Sequence, residues 1–110
     1  MDDQETVPVL NLSLLRAAQE RIRGQVHRTP LLSAATLGER VGVRLFLKCE
    51  SFQKTGSFKP RGALNKVLSL GSVERAKGIV TVSAGNHAQA VAWAARLVGA
   101  PCAVVMPSDA

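Results

Sequence analysis

Tyrosine is absent from this chain, tryptophan occurs once and phenylalanine three times. Phe46, Phe52, Phe58 and Trp93 are too few aromatics for a base-stacking platform. The formal charge is +6, yet Arg16, Arg21, Arg23, Arg28, Arg40, Arg44, Lys48 and Lys54 are scattered rather than clustered. No nucleic-acid partner is expected, and the excess charge suits an anionic substrate or cofactor better. Cysteine is nearly as scarce: Cys49 and Cys102 lie far apart in apolar runs and form no CxxC pair. They read as buried, reduced thiols, with neither a metal site nor a disulfide framework expected. No apolar run approaches the roughly 20 residues that cross a bilayer. The start, MDDQETVPVL, is acidic and lacks the basic-then-apolar order of a secretory leader. No membrane partner and a cytoplasmic location are therefore expected.

What is present is an ordinary globular composition, 46% hydrophobic and 20% charged over 110 residues. Residues 1–10 read as a flexible lead-in. From Asn11 or Ser13 as N-cap, Leu12, Leu15, Ala18, Ile22 and Val26 recur at helical spacing, with Gly24 as a stop. HRTPLL is expected to be extended, because Thr29 precedes Pro30. Ser33 is placed to cap a short helix over 34–40. Val41 to Cys49 alternates and reads as a strand, followed by a helix from about Ser57 to Leu70 that Gly71 ends. Ser72 then starts one more turn. GIVTVS (78–83) and PCAVVM (101–106) read as strands buried on both faces. HAQAVAWAARLVG between them reads as a helix ending at Gly99. That is a βαβ unit, so the fold class is α/β, a parallel sheet with helices on both faces and right-handed crossovers.

Two stretches carry chemistry. SAGNHAQ lies just beyond a strand, where open α/β sheets bind ligands. Gly85 lets backbone approach a ligand, and Ser83 or Asn86 can cap the next helix. Free N–H groups there favour an anion. The alternative is plain helix capping with a solvated His87. In SFQKTGSFKPRGA, Lys59 stands where a glycine-serine turn becomes a helix. A lysine there is commonly just solvated, but the helix N-terminus with nearby Arg61 and Lys54 favours a neutral, nucleophilic amine suited to a Schiff base. Pro60 fits a first helical turn. Gly62 and Ala63 leave a slim helix face for a flat ring.

Together, LKCESFQKTGSFKPRGA and TVSAGNHAQAVA resemble the pyridoxal-phosphate enzymes of the tryptophan-synthase β fold, fold type II, and most closely the threonine dehydratase and serine racemase branch. Cysteine synthases and threonine synthases of that fold usually show a KDR-type sequence after the lysine. Arg61-Gly62-Ala63 with His87-Ala88-Gln89 is similar to the dehydratase branch instead. The resemblance implies pyridoxal 5'-phosphate on Lys59 as a Schiff base, Phe58 beside its ring and Asn86 bonded to its 3-oxygen. It implies that Ser83, Gly85, Asn86 and His87 grip the substrate carboxylate. The reaction implied is β-elimination of a small hydroxy amino acid, threonine or serine, to a 2-oxo acid and ammonia. Serine racemases carry a serine directly after the position of Ser83, as an acid/base. Here stands Ala84, which has no proton to give.

Members of the family run to several hundred residues and need a glycine-rich phosphate loop, and no glycine-rich run occurs here. The chain is therefore expected to be the N-terminal, inactive part of such an enzyme, which when complete is a homo-oligomer. Residues 1–50 would belong to its large domain and 51–110 to an incomplete small domain. Two rival classes stand beside this reading: a non-catalytic module that keeps an anion-binding turn, and a basic nucleic-acid binder.

Overall fold

A computed structural model describes residues 9–110; most of the expected lead-in therefore lies outside the described residues. Helix α1 spans Leu12–Ile22 and starts where Asn11 accepts a hydrogen bond from the Leu14 amide. This is the N-cap geometry that satisfies an otherwise orphaned donor. The chain leaves the helix through Gly24 at φ +76°. Of the apolar stripe only Ile22 is buried, whereas Leu12 and Leu15 stay open.

HRTPLL is extended, as Pro30 requires, and gives strand β1 (Leu31–Ser33). It pairs antiparallel with β2 (Phe46–Lys48), an association that alternation within each run does not reveal. Between them α2 covers Ala35–Val41. Two expectations fail here. Ser33 ends the strand instead of capping the helix, whose N-cap is Ala34 without a side-chain bond. The strand expected over 41–49 shrinks to three residues, because Val41 still belongs to α2 and Gly42 terminates it in the left-handed region at φ +71°. Gly38 lies against the next segment: a Cβ there would sit 2.5 Å from the Val43 carbonyl oxygen.

Two 3₁₀ turns, Glu50–Phe52 and Lys54–Gly56, lead into α3 (Lys59–Ser69), with Pro60 in its first turn. Helix α4 (Ser72–Lys77) precedes β3 (Ile79–Val82), α5 (Asn86–Leu97) and β4 (Cys102–Val105). β3 and β4 pair in parallel, Ile79 beside Cys102 through Val82 beside Val105, so the βαβ unit is as the sequence implies. The two sheets of the described residues do not pair with each other.

The core lies where α3 meets α5. Ala63, Leu64 and Val67 pack against Ala90, Val91 and Ala94, and Ile22 of α1 joins them. The spacing of three and four residues puts each set on one helix face. Burying Leu64 and Val67 is worth roughly 1.5–3 kcal/mol each. Ala90, Ala94 and Ala95 are fully buried, so the helices meet without bulk between them. α5 packs over β3 and β4 on one side only. The expectation of strands buried on both faces therefore fails for the described residues: Val80 and Val82 are 72% and 73% exposed. The cysteines are free as expected, but not buried, since Cys49 is half-buried and Cys102 exposed.

Candidate active site

Lys59 is the first residue of α3 and half-buried. Its amide donates to Ser57 Oγ at 3.3 Å, and Ser57 is itself buried. The ammonium sits 5.3 Å from the centroid of the Phe58 ring, which is 61% exposed and so presents most of its surface outward. Gly62 faces open space on the helix surface. Ala63 does not share that role, because it points into the core against α5. Of the two small residues only Gly62 leaves the helix surface open, and it does so towards the concavity beside α1.

Arg61 also departs from expectation. It is not a free charge beside the lysine: Nε and Nη2 donate to the two Glu50 carboxylate oxygens at 2.7 and 2.9 Å. That pair of hydrogen bonds from Arg61, with a further one from the Thr29 hydroxyl, holds the Glu50 carboxyl down at about 2, against burial pushing the other way.

The turn Ser83–Gly85 joins β3 to α5. Gly85 is the N-cap and neither Ser83 nor Asn86 caps the helix. Ser83 Oγ instead accepts from the Gly85 amide at 3.2 Å, while Asn86 is the first helical residue. Asn86 and His87 are exposed, and Gly85 faces open space. The helix therefore presents its first N–H groups uncovered, the arrangement that attracts an anion.

The structure thus brings Lys59, Phe58 and Gly62 together at the start of one helix and Ser83, Gly85, Asn86 and His87 at the start of another. The two helices pack on one another, and the 54–56 turn before the lysine also lies on α5. Among the described residues no hydrogen bond joins the lysine segment to the 83–87 turn, and they do not enclose the lysine in a cleft. A concavity of about 850 Å³ lies instead between α1 and α3 and takes in Arg61 and Gly62 but neither Lys59 nor Asn86. No group of His, Cys, Asp or Glu able to hold a metal occurs, and no helix is long and apolar enough to cross a membrane, among the described residues.

Sequence reasoning assigns Glu50 and Gln53 no role and Thr29 only a backbone one. Thr29 and Gln53 are each only 4% exposed. The one available signal is the polar content of residues 50–57, broken by Phe52, ahead of Lys59.

The decisive likeness is one of sequence and shape together. Residues 22–110 match the family described as "Pyridoxal-phosphate dependent enzyme". The chain belongs to that family. Its fold is that of fold type II, and the family's cofactor is pyridoxal 5'-phosphate. It is 44% identical over 106 residues to a serine racemase of Dictyostelium discoideum, covering 96% of this chain and 33% of the relative. It is 48% identical over 99 residues to an L-threonine ammonia-lyase of Thermotoga maritima, covering 90% and 25%. The solved structure of maize serine racemase superposes with a TM-score of 0.83 at 48% identity, covering 91% of this chain and 31% of that one. The chain thus spans about a third or less of the length of these relatives.

The residues present fit the cofactor in part. A primary amine, an exposed aromatic face and two glycines facing open space give room for a flat ring, and the uncapped start of α5 suits an anionic group. A glycine-rich phosphate cradle is not among the 110 residues.

Proposed function

We propose that Lys59 carries the pyridoxal phosphate and that the whole protein is an ammonia-lyase acting on a small β-hydroxy amino acid, threonine or serine. The observation that carries this is the placement of Lys59: first residue of α3, amide tied to buried Ser57, amine beside the exposed Phe58 ring. The names of the relatives support the choice of substrate class.

When bound, pyridoxal phosphate supplies a sink for the electron pair left on the substrate's α-carbon. The chain's own residues do the rest. The Lys59 amine holds the cofactor, then takes the α-proton. Phe58 would lie beside the ring, and the Asn86 side chain would hydrogen-bond the cofactor's ring oxygen. The N–H groups at the start of α5, with Ser83, Gly85 and His87, hold the substrate carboxylate. Loss of the β-hydroxyl, followed by hydrolysis, yields a 2-oxo acid and ammonia. Residues 1–50 and 51–110 are parts of the large and the small domain on this reading. A homo-oligomer in the cytoplasm belongs to the same proposal.

Serine racemase is the second reading, favoured by the likeness to two proteins of that name. Ala84 weighs against it, since a methyl group at this exposed turn position moves no proton. The test uses the longest chain that the gene encodes, supplied with pyridoxal phosphate and either L-threonine or L-serine. Formation of 2-oxo acid well above D-serine is expected, and Ala84→Ser should raise D-serine. D-serine in excess with Ala84 in place would reverse the order of the two readings.

A further inference from the structure

The segment that presents Lys59 is anchored on both sides to one backbone carbonyl. Before the lysine, the Gln53 side chain donates to the His27 carbonyl oxygen at 2.8 Å and accepts from the His27 amide at 2.8 Å. It thereby pairs with both backbone groups of that residue, as a neighbouring strand would. The same Gln53 oxygen accepts from the Lys54 amide at 2.9 Å. After the lysine, Arg61 Nη2 reaches the same His27 carbonyl at 3.3 Å. Glu50 locks Arg61 in that pose and also accepts from the Thr29 hydroxyl. Lys48 Nζ donates to the Thr29 carbonyl at 2.6 Å. Gln53 and Thr29 are almost fully buried, so these bonds form where unmade partners are costly.

Between the anchors the backbone is forced. Thr55 and Gly56 take φ of +60° and +76°, and buried Ser57 receives the Lys59 amide. Left-handed geometry at a β-branched residue persists only where its surroundings hold it. We propose that Gln53 and the Glu50–Arg61 pair, acting through the His27 backbone, are positioning residues that aim the Lys59 amine at the cofactor. None of them need touch the cofactor. This rests on the reading of Lys59 given above.

The experiment treats the full chain with pyridoxal phosphate and borohydride, then maps the reduced adduct on peptides. Its readout is the yield at Lys59 relative to exposed Lys66 and Lys77. Gln53→Met keeps length and removes the bonds to His27; Arg61→Lys keeps charge and removes the fork. Gly38→Ala, which disturbs the α2 segment instead, is the control for mere loss of stability. The expected result is a preference for Lys59 that falls at least tenfold in Gln53→Met and in Arg61→Lys but survives in Gly38→Ala. If the preference persists in both clamp variants, or falls equally in the control, positioning is refuted. If either clamp variant is unfolded by circular dichroism, Glu50→Gln replaces it under the same criterion. Absence of any Lys59 preference in the unaltered chain would instead refute the reading of the lysine itself.

Discussion

Glu50 and Arg61 face each other across the loop that bears Lys59, joined by hydrogen bonds of 2.7 and 2.9 Å. The two side chains are 18% and 34% exposed, so the pair is shielded on one side and wet on the other. The Glu50 carboxyl ionises at about 2 in the folded chain, below its ordinary 4.5. A depressed carboxyl contributes stability that is complete above the unfolded value and is lost as pH falls towards the folded one. Unfolding midpoints should therefore be flat above pH ~5 and fall between about 4.5 and 2. After allowing for solvent screening the contribution is about 1–2 kcal/mol. Glu50→Gln should flatten that acid limb; an unaltered limb in thermal melts from pH 2 to 7 would contradict this.

Thr55 is the one non-glycine residue with positive φ among the described residues, and its buried hydroxyl has no hydrogen-bond partner there. Thr55→Gly relieves the backbone, and the strain avoided is of order 1 kcal/mol. The variant should unfold at a higher denaturant midpoint than the parent. A lower midpoint would mean that side-chain packing outweighs the strain.

At Gly38 the sign is opposite. Since an added Cβ would meet the Val43 carbonyl oxygen at 2.5 Å, Gly38→Ala must shift backbone. A loss of about 1–3 kcal/mol is expected, as in other overpacked sites. Unchanged denaturant unfolding would show that the Gly42 turn yields freely.

Much of this was legible in the sequence, and the failures have physical causes. The βαβ unit followed from β-branched runs flanking an alanine-rich helical period, because period and composition agreed there. The strand expected over 41–49 is shorter because Gly42 stops α2 in the left-handed region, as a glycine after a short helical run commonly does. Strand burial departs from expectation because an apolar run shows only that a face prefers cover, and Val80 and Val82 have none among the described residues. Ser83 and Asn86 looked like caps by residue type, but the turn spends the Ser83 hydroxyl on Gly85 and leaves Asn86 inside the helix. That Lys59 opens a helix is legible from its punctuation, a glycine-serine turn before it and Pro60 after it. The Gln53–His27 bonds are not, since they join residues 26 positions apart through a side chain.

The bare β3–β4 face carries a prediction of its own. Val80, Val82 and Val105 are all more than half exposed on the parallel pair, and open strand edges invite pairing. The chain by itself should self-associate, and Val80→Lys with Val82→Lys should reduce its apparent mass in light scattering. A monomer at high concentration would contradict this.

Asn86 tests the second half of the site. Asn86→Ala should weaken binding of cofactor and of substrate together, since a hydrogen bond to a charged group is worth roughly 1.5–3 kcal/mol, about ten- to a hundredfold. Titrations that leave both affinities unchanged would place the anion elsewhere.

Covalent trapping decides whether Lys59 is the cofactor lysine, as proposed above. The chain is incubated with pyridoxal phosphate, reduced with borohydride, digested and weighed by mass spectrometry. A phosphopyridoxyl group is expected on Lys59 in preference to Lys48, Lys54, Lys66 and Lys77, and is expected to be lost in Lys59→Ala. An even spread of label over these lysines, or the same total label after Lys59→Ala, would contradict the proposal.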